Sequence, residues 1–142
     1  MKVLVDTPVW SGALRRRRRT EQESTRPELE SLVQDGRVAM MGPIRQEVLS
    51  GIKERAHFDR LREHLRAFPD VEITSHDYEE AAVFFNQCRA KGIQGSNTDF
   101  LICAVAIRNE FSIFTTDGDF NHYAKVLPIV LHSRRASSDR NV

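Results

Sequence analysis

Four carboxylates stand at places where an α/β chain does chemistry. Asp6 closes a short apolar run, Glu47 lies in the helical segment after a second run, Asp99 opens a later helix, and Asp117 directly follows another run, in the order D…E…D…D. They are separated by 41, 52 and 18 positions, too far for local ion pairing, so only a tertiary fold can unite them. If united, they cannot all stay ionised without a compensating cation, because like charges in one site raise each other's pKa. Oxygen-only donors point to a hard divalent ion, Mg2+ or Mn2+, which needs one or two direct carboxylates and keeps several waters. Such an ion makes a bound water nucleophilic at neutral pH and stabilises the oxygens of an in-line displacement at phosphorus, so phosphodiester hydrolysis is the leading inference. Other chemistries lack their signatures: there is no G-x-x-x-x-G-K-[ST] loop, no G-x-G-x-x-G, no G-x-S-x-G and no H-E-x-x-H. A receiver-like phosphoacceptor domain shares acids at strand ends but would want an adjacent acid pair near the first strand and a Lys after the last. Neither Thr7 nor Leu131-His132 supplies them.

Taken singly, each acid has an ordinary structural reading. Asp6 can cap a helix, Ser96 to Asp99 has the S-x-x-D form of a capping box, Glu47 can be a solvated helix acid, and Asp117-Gly118 reads as a turn. Their conjunction carries the site reading.

The elements that must position these acids can be read from periodicity. Short β-type runs are expected at 2–5, 38–41, 71–74, 112–115 and 127–131. Helices are expected at 9–17, at 27–34 with Leu29, Leu32 and Val33 buried, from Pro43 through Glu47 toward Gly51, and at 54–66 with Phe58, Leu61, Leu65 and Phe68 on one face. A further helix, with Ser75 as its N-cap, Asp77, Glu79 and Glu80 near its start and Ala81, Phe84, Phe85 and Cys88 buried, should run to Gly92. Another begins near Thr98, and a short one spans 120–126. Strands alternating with helices predict an α/β class with a mostly parallel sheet covered on both faces. In such sheets ligands sit outside the carboxyl ends of the strands, where the strand order switches direction.

Composition fits this class. The 142 residues are 40% hydrophobic and 29% charged, with 5 Pro and 7 Gly, as expected of one globular domain over 1–132 followed by a polar tail at 133–142. The net charge is only +1, so attraction to a polyanion would have to come from a patch such as the run Arg15, Arg16, Arg17, Arg18 and Arg19, which can contact RNA phosphates or simply be solvated. Cys88 and Cys103 are both in apolar, helix-like stretches, which argues against disulfide or zinc frameworks. The first residues lack a signal-type apolar region and no run reaches the ~18 residues of a membrane span, so a cytoplasmic protein is expected. Five scattered histidines lack metal-ligand spacing, and Trp10, on the apolar stripe after Asp6, is expected to pack rather than stack on a base.

Four segments carry a family resemblance: V-D-T-P-V-W-S around Asp6, I-R-Q-E-V-L-S-G-I around Glu47, T-D-F-L-I-C-A-V-A-I-R at Asp99 and F-T-T-D-G-D-F at Asp117. Together they resemble the acidic motifs of PIN-domain nucleases over residues 2–131, and the short chain with its V-D-T-x-V-W opening looks most like the VapC toxins of toxin–antitoxin pairs. The resemblance implies a PIN-like three-layer α/β/α sandwich with five strands in the order 3-2-1-4-5, a metal-dependent endoribonuclease, a homodimer, and inhibition by a VapB-like antitoxin. It assigns Asp6, Glu47, Asp99 and Asp117 as the catalytic quartet, with Asp6, Asp99 and Asp117 binding Mg2+ or Mn2+ and Asp119, Thr7 and Thr115 as auxiliary groups. Pro8 stands where the family often has Ser. The rival reading is a catalytically inactive PIN-like module that binds RNA or protein through the same pocket.

Overall fold

The computed structural model describes residues 1–14 and 25–133. At its centre β1 (Val3–Val5) is an uninterrupted apolar triplet with every side chain buried. Successive strand side chains point to opposite faces, so burial of Val3, Leu4 and Val5 alike means that both faces of the sheet are covered. Strand β1 pairs in parallel with β2 (Val38–Ala39) through Val3↔Val38 and Leu4↔Ala39. On its other edge it pairs in parallel with β3 (Ser112–Phe114) through Val3↔Ser112, Leu4↔Ile113 and Val5↔Phe114. The sheet order is β2-β1-β3.

The described sheet therefore has three strands, not the expected five. The strand expected at 71–74 does not form: the one parallel bridge, Met40↔Asp70, falls just before it, and the Val71 amide donates to the Met40 carbonyl at 2.8 Å. Thr74 is drawn away to cap the next helix, which ends the pairing. The segment at 127–131 likewise makes one bridge, Ile113↔Leu131. Extending it backward would need the Val130 amide on the Phe111 carbonyl, but Phe111 still closes the helix before β3, its amide donating to the Ala106 carbonyl at 2.9 Å.

Seven helices are described. Helix α1 (Thr7–Leu14) starts two residues before the expected 9, and the rest of its expected span lies outside the described residues, as does Arg15 to Arg19. Trp10 in α1 is buried as expected, its indole N–H donating to the Val5 carbonyl at 3.1 Å and its ring 5.2 Å from that of Phe68. Helix α2 (Arg26–Gln34) buries Leu29 and Leu32, whereas Val33 is exposed. Helices α3 (Gly42–Leu49) and α4 (Arg55–Leu65) follow, with α1 packed against α2 and α3, and α3 against α4. Helices α5 (Ser75–Ala90) and α6 (Asn97–Asn109) form the most extensive helix pair, α6 also packs on β3, and α7 (Asp119–Tyr123) closes the series.

The N-cap of α5 is Thr74 rather than Ser75. Thr74 has the extended backbone a cap requires, its hydroxyl accepts from the Asp77 amide at 3.2 Å, and Asp77 Oδ2 accepts from the Thr74 amide at 2.9 Å. Asp77 is buried and is also gripped by Arg108 near the end of α6, Nε to Oδ1 at 2.6 Å and Nη2 to Oδ2 at 2.8 Å. This pairing holds the Asp77 carboxyl below its ordinary pKa and ties the two helices end to end. Thr74→Ala is expected to cost about 1 kcal/mol of stability, the usual worth of an N-cap side chain, read as a lower midpoint in urea with an unchanged m value. No helix among the described residues is long and apolar enough to cross a membrane.

Candidate active site

The chain leaves β1 toward β2 on one side, and β3 lies on the other, so the carboxyl ends of β1 and β3 flank a switch in strand order. Asp6 follows β1 immediately. Its backbone amide donates to the Phe114 carbonyl at 2.9 Å, which extends the β1–β3 pairing by one bond and fixes where the side chain starts. Thr115 follows β3, and its hydroxyl crosses to Asp6 Oδ2 at 2.9 Å, while Asp6 Oδ1 accepts the Thr7 amide at 2.8 Å. Parallel strands in register thus bring together groups 109 positions apart.

Glu47, Asp117 and Asp119 are tethered to this pair by hydrogen bonds, whereas Asp99 reaches Asp6 through its charge. The Thr7 hydroxyl donates to Glu47 Oε1 at 2.6 Å, linking the start of α1 to the exposed acid on α3. The Thr115 hydroxyl oxygen accepts the Asp117 amide at 3.0 Å, and Asp117 Oδ1 accepts the Asp119 amide at 2.9 Å as α7 begins. Asp99 sits in the first turn of α6, capped by Ser96, whose hydroxyl oxygen accepts the Asp99 amide at 3.1 Å. All seven residues singled out as catalytic or auxiliary, Asp6, Thr7, Glu47, Asp99, Thr115, Asp117 and Asp119, therefore lie at one end of the sheet, on the loops and first helical turns around β1 and β3 or on α3.

The electrostatics show how closely the acids crowd. Asp6 is 5% exposed, and its pKa is pushed from 3.8 up to about 6, mainly by burial and further by the charges of Asp99 and Glu47. Its hydrogen-bond donors, the Thr115 hydroxyl and the Thr7 amide, oppose the rise but are uncharged. Burial also raises Asp99, with Asp117 and Asp119 adding to it and hydrogen bonds from Tyr123 and Ser96 opposing it. Cys103, in α6, is a buried thiol pushed well above its ordinary range by burial first and then by Asp99, so no thiolate nucleophile is available there.

Tyr123 is the contributor that the sequence did not flag. It lies four residues after Asp119 on α7, is fully buried, and donates its phenol to Asp99 Oδ2 at 2.6 Å. Burial and the Asp99 charge raise its pKa, so it remains a protonated donor. The only local hint was its i, i+4 spacing from Asp119, which any short helix produces.

The donor set matches a hard divalent cation in chemistry: oxygen ligands only, converging negative charge, and a buried carboxylate whose partners are neutral. Among the described residues no three His, Cys, Asp or Glu side chains approach closely enough to cage an ion by themselves.

The sheet order, the acids at the strand ends and their shared environment define a PIN fold, and the PIN domain family matches residues 3–126; the chain belongs to that family. It is 29% identical over 126 residues to "Ribonuclease VapC11" of Mycobacterium tuberculosis (strain ATCC 25618 / H37Rv), covering 87% of this chain and 92% of the relative. Among solved structures it is similar in fold to VapBC2 from Rickettsia felis bound to a DNA fragment from their promoter. That likeness has a TM-score of 0.74 at 16% identity, over 95% of this chain and 100% of the other. FitAcB from Neisseria gonorrhoeae gives a TM-score of 0.69 at 17% identity, over 92% and 96% respectively.

Proposed function

We propose that this chain is a VapC-type endoribonuclease that hydrolyses RNA phosphodiester bonds with Mg2+ or Mn2+. We further propose that it acts in the cytoplasm as the toxin of a pair whose VapB-like partner restrains it. The observation that carries this reading is the crowding of Asp6, Glu47, Asp99, Asp117 and Asp119 at the carboxyl ends of β1 and β3 in a PIN fold. The relative named a VapC ribonuclease supports the RNA substrate, and the VapBC2 neighbour supports the antitoxin. Residues 1–132 form the nuclease domain, 133–142 its polar tail, and the active form is a homodimer.

Asp6, Asp99 and Asp117 are the residues that would hold the ion. When bound, a divalent ion acidifies water and neutralises charge developing on the phosphate in the transition state. The protein's own contribution is orientation. The Thr115 hydroxyl donates to the Asp6 carboxylate and accepts the Asp117 backbone amide, fixing the two residues relative to each other, while the Asp119 amide donates to the Asp117 carboxylate. Thr7 occupies Glu47 Oε1, which leaves Oε2 to orient the attacking water. The run Arg15 to Arg19 is the patch assigned to RNA phosphates.

Purified chain free of any partner, incubated with total cellular RNA, is expected to release discrete fragments in Mg2+ or Mn2+ and none in EDTA. Intact RNA after incubation of the folded protein in both ions would overturn the proposal and leave a non-catalytic RNA- or protein-binding module.

A further inference from the structure

We propose that Tyr123 is a positioning residue that locks the Asp99 carboxylate in the orientation the site uses, with Gly95 as the opening that admits its phenol. The proposal rests on the nuclease reading of the acid cluster and extends it to a group outside the four acidic motifs.

Two segments of the chain, 95–100 and 120–123, meet at this phenol. Tyr123 itself comes from the end of α7 and is fully buried, and its phenol reaches Asp99 Oδ2 at 2.6 Å. Its ring is held between Phe100 of α6, with centroids 4.9 Å apart and planes tilted by 47°, and Phe120 of α7, edge-on at 5.0 Å. Gly95, just before the Ser96 cap of α6, supplies the remaining wall. A Cβ there would meet the Tyr123 hydroxyl, lie 2.7 Å from the ring carbon Cζ and 2.9 Å from Phe100 Cε2. Real Cβ atoms do not approach so closely, and both neighbours are already packed, so any side chain at 95 would displace the phenol. Core packing by itself would be served by Phe at 123. The hydroxyl adds a directed, charge-assisted bond to a carboxylate.

The consequence for Asp99 is geometric. Ser96 holds its backbone amide and also hydrogen-bonds its carboxylate, and Tyr123 holds Oδ2, so rotation about the Cβ–Cγ bond is restrained. Groups that orient a metal-binding side chain in this way change metal affinity about 10- to 100-fold when removed.

The test measures Mn2+ binding directly, by the EPR signal of free Mn2+ titrated with RNA-free protein, for the wild type, Tyr123→Phe and Asp99→Asn, together with melting temperatures in EDTA. Tyr123→Phe keeps the ring and removes only the donor. Its Mn2+ dissociation constant is expected to rise about tenfold, with the Mn2+ concentration for half-maximal cleavage shifting by the same factor, while Asp99→Asn loses the site. If Tyr123→Phe binds Mn2+ as the wild type does while Asp99→Asn does not, Tyr123 only packs and the inference is overturned, although the acid cluster stands. If Asp99→Asn binds Mn2+ as tightly as the wild type, the reading of the cluster fails and takes this inference with it.

Discussion

Asp6→Asn is expected to lower RNA cleavage by at least ~100-fold, the scale seen when one preorganised electrostatic group is removed from an active site. The substitution is nearly isosteric and its hydrogen bonds can be kept. The side-chain carbonyl can still accept the Thr7 amide, and the new NH2 can donate to the Thr115 hydroxyl oxygen once that hydroxyl turns. What disappears is the charge at the junction of β1 and β3 that would bind a cation. Initial rates of fragment release in Mg2+ and in Mn2+ check this, with circular dichroism showing that the fold is retained. An Asp6→Asn protein that cleaves at the wild-type rate in either ion would remove Asp6 from the chemistry.

The same substitution should make the metal-free protein more stable at neutral pH. An acid whose pKa is raised on folding contributes stability that is complete below its unfolded value, here 3.8, and is lost as pH climbs through its folded value, here about 6. By pH 7.5 the folded protein must carry an ionised Asp6 that it accommodates poorly. The shift corresponds to about 3 kcal/mol, which Asn, having no charge, would recover. In EDTA, Asp6→Asn is therefore expected to melt well above the wild type at pH 7.5 and close to it at pH 4. A difference of equal size at both pH values would mean that packing, not charge, separates the two proteins. Loss of function and gain of stability from one atom exchange would identify Asp6 as a residue retained for its charge despite the cost to folding.

Much of this was written locally. The triplet Val3–Val5, the Ser96 cap and the buried stripe Ala81, Phe84 and Cys88 of α5 declare their elements through residue type and period alone, because helix and strand differ in which neighbours share a face. The acids were legible for a related reason: Asp6 and Asp117 each lie just beyond an apolar run, and Asp99 lies one turn past a cap. Where expectation and structure part, a competing local demand decided the outcome. Thr74 caps α5 instead of continuing a strand, and Phe111 closes the end of α6 instead of lengthening β3, so the two outer strands are reduced to the single bridges Met40↔Asp70 and Ile113↔Leu131.

The sequence by itself determined the α/β alternation, the membership of the PIN family and the positions of the candidate acids along the chain. All three depend on residue type and order along the chain. Only the tertiary structure decided that the Thr115 hydroxyl serves Asp6, that Thr7 reaches Glu47, and that Tyr123 passes Gly95 to hold Asp99. Those contacts join positions 109, 40 and 24 apart, and they exist because parallel pairing about β1 and the packing of α3, α6 and α7 bring the groups within hydrogen-bonding reach. A hydrogen bond acts over about 3 Å in space and is indifferent to separation in sequence, so no local pattern encodes it.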